Sequence, residues 1–248
     1  MKFMESSFIP SKKINLALVD NRVPKNIMQN LTKLNINIIK TIKCNETYNA
    51  ISCHPDICAI KLYNNDILVA PNVYDYYNEV LKPFGFNVIK GNSSIGRKYP
   101  NNVQYNVVIL GNKVIHNFKY TDSILLDYIE KNKMKKINVK QGYCKCSICI
   151  VDENSIITSD EGIYKEVIKH DIDCLLIEKG HIDLFELDYG FIGGCSGLIN
   201  EDTLVFFGNI EKHPNFKEIK NFVSKRNKKI ISLSKEKLID LGSLIPLI

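Results

Sequence analysis

The sequence predicts an α/β fold built as a pseudo-fivefold ring of five ββαβ units. A C-terminal strand closes the ring into one domain over residues 1–248. Three observations carry this expectation. Short apolar runs of strand length alternate with stretches of helical period. Polar turns fall at 64–66, 111–112, 152–154 and 200–202, a spacing of roughly 40–50 residues that marks repeat arrays. The chain is 45% hydrophobic and 24% charged, which fits a globular core and excludes collagen, low-complexity disorder and a disulfide scaffold. All-β blades of that length would hold four strands, whereas here a helical stretch stands between the second and third. An ordinary α/β or α+β sandwich is the alternative.

The first unit has a strand at 14–19, a helix at 24–34 and a strand at 36–39, and its hairpin partner is missing. The C-terminal run 241–247 could supply that partner and remove the exposed edges. In the second unit Ala59-Ile60-Lys61-Leu62-Tyr63 alternates as a half-buried strand, Asn64-Asn65-Asp66 turns, Ile67-Leu68-Val69-Ala70 returns, and a helix over 73–81 leads to Phe86-Asn87-Val88-Ile89. The third has a strand at 107–110, the turn Gly111-Asn112 demanding positive φ, a strand at 113–116, a helix over 122–131 and a strand at 136–139. The fourth runs 147–151, 155–158, a helix over about 160–169 with Ser159 as N-cap, and 173–177. The fifth runs 197–199, 203–207, a helix over about 214–224 and 229–233.

Net charge is +6, from 33 Lys+Arg against 27 Asp+Glu, without a basic run of six. That dispersion argues against a nucleic-acid stripe. The N-terminus has no apolar signal core, and no apolar run approaches the roughly 18 residues of a membrane span. The eight cysteines are therefore expected as reduced thiols in the cytoplasm.

In a ring of repeats, the segments just ahead of each first strand share one mouth. These are 53–58, 99–106, 142–147 and 193–197. They gather His54, Asp56, Asn106, Tyr143, Cys146 and Cys195, polar groups converging as a binding pocket requires. Cys195 follows Gly193-Gly194, where backbone N–H groups can approach a ligand closely. Cys146 lies two residues from Cys144, on the same face if the segment is a strand. A thiolate at either position could attack an amidine carbon once a His or a cationic substrate lowers its pKa. His54-Pro55-Asp56 sets an acid/base beside a carboxylate suited to a cationic group, with Pro55 keeping His54 extended. The set Cys144, Cys146, Cys149 lacks the fourth ligand and the pair spacing of a structural zinc site, so no metal is expected. Neither a Walker loop nor a dinucleotide fingerprint is present, and no cofactor is expected.

On the five-unit pattern the chain resembles the pentein, or guanidine-modifying enzyme, superfamily. It resembles in particular an uncharacterised bacterial branch, through Cys53-His54-Pro55-Asp56-Ile57, the stretch Val139–Ser147 and Gly190-Phe191-Ile192-Gly193-Gly194-Cys195-Ser196-Gly197. The resemblance implies a Cys nucleophile, a His and acidic residues at the centre of the ring. Gly193-Gly194-Cys195 stands where a Gly-rich turn precedes the nucleophile, and His181-Ile182-Asp183 echoes the family's His-x-Asp. His181 is only 14 residues ahead of Cys195, and Gly194 rather than His precedes it. The expectation is a Cys-dependent hydrolase or transferase of a small guanidino or amidino compound. Cys195 or Cys146 would be the nucleophile, His54 or His181 the acid/base, Asp56 or Asp183 the cation-binding carboxylate, and Asn106 and Tyr143 further contacts. The superfamily also includes a ribosome anti-association factor, so the rival expectation is a non-catalytic protein binding a macromolecule such as the ribosome. Oligomeric state is not specified.

Overall fold

The computed structural model describes residues 3–248. Strand β1 (Leu16–Val19), helix α1 (Lys25–Lys33) and β2 (Asn37–Lys40) open the chain. A single helical turn, α2 (Pro55–Cys58), then leads into β3 (Ala59–Lys61), β4 (Asp66–Val69), α3 (Tyr74–Leu81) and β5 (Asn87–Lys90). The third group is β6 (Val108–Leu110), β7 (Lys113–His116), α4 (Ser123–Lys131) and β8 (Lys135–Asn138). Another single turn, α5 (Cys144–Ser147), precedes β9 (Ile148–Asp152), β10 (Ser155–Thr158), α6 (Glu161–Val167) and β11 (Asp173–Leu176). Last come β12 (Ser196–Asn200), β13 (Thr203–Phe206), α7 (Phe216–Ser224), β14 (Lys229–Ser232) and β15 (Ile245–Pro246).

These strands form five three-stranded sheets of one design. A hairpin joins the first two strands antiparallel, and a helix carries the chain over to a third strand parallel to the second. In the N-terminal sheet the hairpin partner comes from the far end of the chain: β15 pairs antiparallel with β1, Ala17 opposite Pro246 and Leu18 opposite Ile245. Burial grades across each sheet. The middle strands β1, β10 and β13 are wholly buried, whereas β8, β11 and β14 keep at most one buried residue each. The core therefore lies among the leading and middle strands.

Local chemistry explains the element ends. Asp122 accepts from Ile124 N ahead of α4, and Asp160 accepts from Ile163 N ahead of α6, so the cap of α6 is Asp160 and not Ser159. The hairpin turn at Gly111 has φ +54°. The third strands fall within one residue of their expected bounds, whereas only Ile245 and Pro246 of the closing run 241–247 form strand, the two residues that pair with β1. No helix among the described residues is long and apolar enough to cross a membrane.

Candidate active site

The positions two and three residues ahead of each leading strand supply one buried polar cluster. Asp56 precedes β3, Asn106 precedes β6, Lys145 and Cys146 precede β9, Gly193 and Gly194 precede β12, and Gly242 and Ser243 precede β15. Pro55 holds His54 extended at φ −65°, ψ 122° and starts the turn that buries Asp56. The 144–147 segment is also a helical turn, not the alternating strand its sequence suggests. Its Lys145 and Cys146 N–H groups donate to Asn106 Oδ1 at 2.7 and 3.1 Å, a partner that local alternation does not reveal.

Cys146 is the centre of this cluster. Its thiol lies 3.2 Å from both oxygens of Asp56 and accepts from Asn106 Nδ2 at 3.1 Å. The same Asn106 nitrogen donates to Asp56 O at 3.0 Å, so Asn106 locks the two segments together. The Ser243 hydroxyl lies 2.7 Å from Asp56 Oδ2 and accepts from Lys145 Nζ at 2.9 Å. Ser243 holds φ +72°, in the left-handed region that few L residues occupy. One ring nitrogen of His54, one oxygen of Asp56 and Cys146 Sγ all lie within 4.8 Å of one another. Both nitrogens of His54 lack a hydrogen-bond partner. They stand 3.8 Å from Asp240 Oδ1 and 3.9 Å from Asp20 Oδ2.

Burial sets the protonation states. It depresses His54 to about 3, helped by the Arg22 charge, so the imidazole is neutral. It raises Asp240 to about 7, reinforced by the charge of Asp56. It raises Asp56 against the pull of Lys145, and lowers Lys145 against the pull of Asp56. Cys146 is pushed well up by burial and then by the Asp56 charge, so the resting group is a thiol. A cation placed among these carboxylates would reverse the second effect and favour the thiolate.

His54, Cys146 and Asp240 open onto a cavity of about 290 Å³. Tyr143 also lines it, its hydroxyl donating to Asn102 Oδ1 at 2.8 Å. Asn106 is fully buried behind Cys146 and positions it. The other expected residues lie elsewhere. Cys195 does not line the cavity; its thiol is buried and donates to Ile192 O at 3.3 Å. The glycines before it serve close packing: a Cβ on Gly194 would collide with the Asp240 carboxylate. His181 is 41% exposed and sits 3.6 Å from Glu178, and Asp183 is 56% exposed and pairs with Lys237. The backbone of Asp183 nevertheless accepts from Asp240 N at 2.8 Å, tying that loop to the site.

Four site residues escaped the sequence reading: Asp20, Lys145, Asp240 and Ser243. The rule that found the other segments, polar residues just ahead of a leading strand, reaches Asp240 and Ser243 when applied to the closing strand. The same rule already covers Lys145, inside the 142–147 segment, whereas Asp20, just past the end of β1, carried no such signal. The His54, Asp56 and Cys146 donors could hold a cation only after contracting, since tetrahedral zinc with ligands at about 2.0–2.3 Å brings its donors closer than their present spacing of up to 4.8 Å.

Similarity to known structures follows this architecture. The agmatine deiminase of C. jejuni superposes with a TM-score of 0.57 at 14% identity, over 94% of this chain and 90% of its own. An amidinotransferase of Microseira wollei in the saxitoxin biosynthetic pathway gives 0.59 at 12% identity, over 92% and 91%. DDAH of Pseudomonas aeruginosa, solved with citrulline, gives 0.58 at 9% identity, over 91% and 93%. The fold is thus that of the pentein, or guanidine-modifying enzyme, superfamily. No curated protein matches the sequence. Residues 18–245 match the family model described as "Family of unknown function (DUF6873)", and the chain belongs to that family.

Proposed function

We propose that this protein is a Cys-dependent hydrolase or transferase acting on a small guanidino or amidino compound. In this reading the five sheets close as a pseudo-fivefold ring over one domain, with Cys146 as nucleophile, His54 as acid/base, and Asp56 and Asp240 as the carboxylates that receive the cationic head. The observation that carries it is the meeting of Cys146, His54 and Asp56 within 4.8 Å, with Cys146 and His54 lining a cavity and Asp56 buried directly behind the sulfur. The solved structures of like fold include a deiminase and an amidinotransferase.

The chemistry follows from the charges. A guanidinium among Asp56 and Asp240 offsets the negative field that keeps Cys146 protonated. The Cys146 proton passes to neutral His54, and Sγ adds to the amidino carbon. One C–N bond breaks, and ammonia or the amine leaves with the proton from His54. The enzyme then carries the amidino group on Cys146. Water adds, giving its proton to His54; the C–S bond breaks, the thiol regains a proton, and a ureido product forms. An amine in place of water gives a new guanidine.

The test is turnover of a panel of alkyl and aryl guanidines and amidines, followed as ammonia, amine or ureido release. Cys146→Ser is expected to abolish turnover, and mass spectrometry is expected to find an amidino adduct on Cys146 in the wild type. No turnover across the panel, together with a Cys146 inert to small electrophiles, would reject the reading. Co-sedimentation with ribosomes that is lost at high salt would favour the macromolecule-binding rival.

A further inference from the structure

We infer that the ligand of this cavity carries no carboxylate and joins its cationic head to an apolar body; this rests on the function proposed above and narrows its substrate class. The charged side chains lining the cavity are both acidic: Asp240, buried at the floor, and Asp188, exposed at the rim. Among the described residues, no Lys or Arg lines it.

The cations around it are committed elsewhere. Arg22, stacked 4.6 Å from the ring of Phe185, binds Asp20 and the carbonyls of Asn49 and Ala50. Lys145 donates to Ser243 and lies 5.3 Å over the Phe8 ring. Of the three tyrosines that line it, the two inner ones are engaged with protein partners, and Tyr189 is exposed at the edge. Tyr143 donates to Asn102, and the Tyr48 hydroxyl stands 3.4 Å from that of Tyr143. A carboxylate on the ligand would shed its water, meet Asp188 and Asp240, and gain no cationic partner.

The walls suit a different body. Ile51, Leu184, Leu187 and Phe191 face the cavity beside Tyr48 and Tyr143. Apolar surface buried there adds affinity, and the aromatic rings can receive a cation on their faces. At about 290 Å³ the space sits at the small end of ligand cavities, so the molecule is compact.

The test is protection of Cys146 from iodoacetamide at pH 8, read by peptide mass spectrometry on the full chain, with phenethylguanidine and L-arginine as probes. Phenethylguanidine is expected to half-protect at a concentration at least about tenfold below that of arginine. Asp188→Lys reverses one charge near the ligand and is expected to improve arginine about tenfold after solvent screening, with Asp188→Asn in between. Equal or better protection by arginine in the wild type overturns the inference and leaves the proposed chemistry standing. A preference unmoved by both Asp188 variants overturns it as well, by removing the electrostatic selection. Failure of both guanidines to protect Cys146 overturns the inference together with the function on which it rests.

Discussion

Replacing Asp56 by Asn should make Cys146 more reactive while lowering turnover under the proposed function. The Asp56 carboxylate lies 3.2 Å from the sulfur, and at an effective dielectric of about 20 two unit charges at that separation repel by about 5 kcal/mol. Removing one relieves the thiolate of that repulsion. Lys145 loses its counter-charge at the same time and sheds its proton more readily, which cancels part of the gain. If only a third survives, the thiolate population still rises more than tenfold. A thiol of lower pKa is intrinsically a weaker nucleophile, so the expected net acceleration of iodoacetamide labelling at pH 8 is several-fold to about tenfold. Breaking the buried pair should also cost about 3 kcal/mol or more of stability, so labelling is compared under conditions where circular dichroism shows both chains folded. Under the proposed function, turnover of a guanidine should fall, because a carboxylate assigned to the cationic head is gone. Labelling of folded Asp56→Asn that is no faster than wild type would refute the claim that Asp56 holds the thiol proton.

Asp240 titrates near 7 in the fold against about 3.9 in the unfolded chain, so the native state holds an extra proton between those values. Its contribution to stability therefore falls as pH rises from about 4 to about 7, by up to about 4 kcal/mol. His54, held near 3 by burial, contributes the opposite slope between about 3 and 6.5. Asp240→Asn should remove the first trend and leave the second, as measured by urea melts at pH 5 and 7.5 against wild type. The same ionisation predicts that guanidine binding strengthens as pH climbs through 7, seen by calorimetry, and that Asp240→Asn abolishes this gain. Gly194→Ala should cost about 1–3 kcal/mol by forcing a methyl into the Asp240 carboxylate, read as a lower Tm. Cys195→Ser and His181→Ala should leave Cys146 labelling unchanged, since neither side chain lines the cavity.

The sequence by itself determined the repeat. Apolar alternation and the four polar turns located the strands and the crossover helices, because those signals arise from neighbours along the chain. It also singled out four of the converging segments, three of which carry His54, Asp56, Asn106, Tyr143 and Cys146. It did not choose between Cys146 and Cys195. Both follow glycine-containing turns, and the difference lies in tertiary partners: Asn106 and Asp56 face one sulfur, and the carbonyl of Ile192 faces the other. His181-Ile182-Asp183 carries a suggestive spacing, yet its side chains point to Glu178 and Lys237 at the surface. Asp240 and Ser243 are held at the site by segments distant in sequence: Phe191 N donates to Asp240 Oδ2, and Ser243 N donates to Gly194 O. The protonation states belong to the tertiary structure alone. A neutral His54, a thiol at Cys146 and a carboxyl near 7 at Asp240 result from burial and from charges brought together from distant segments, which composition and local pattern do not encode.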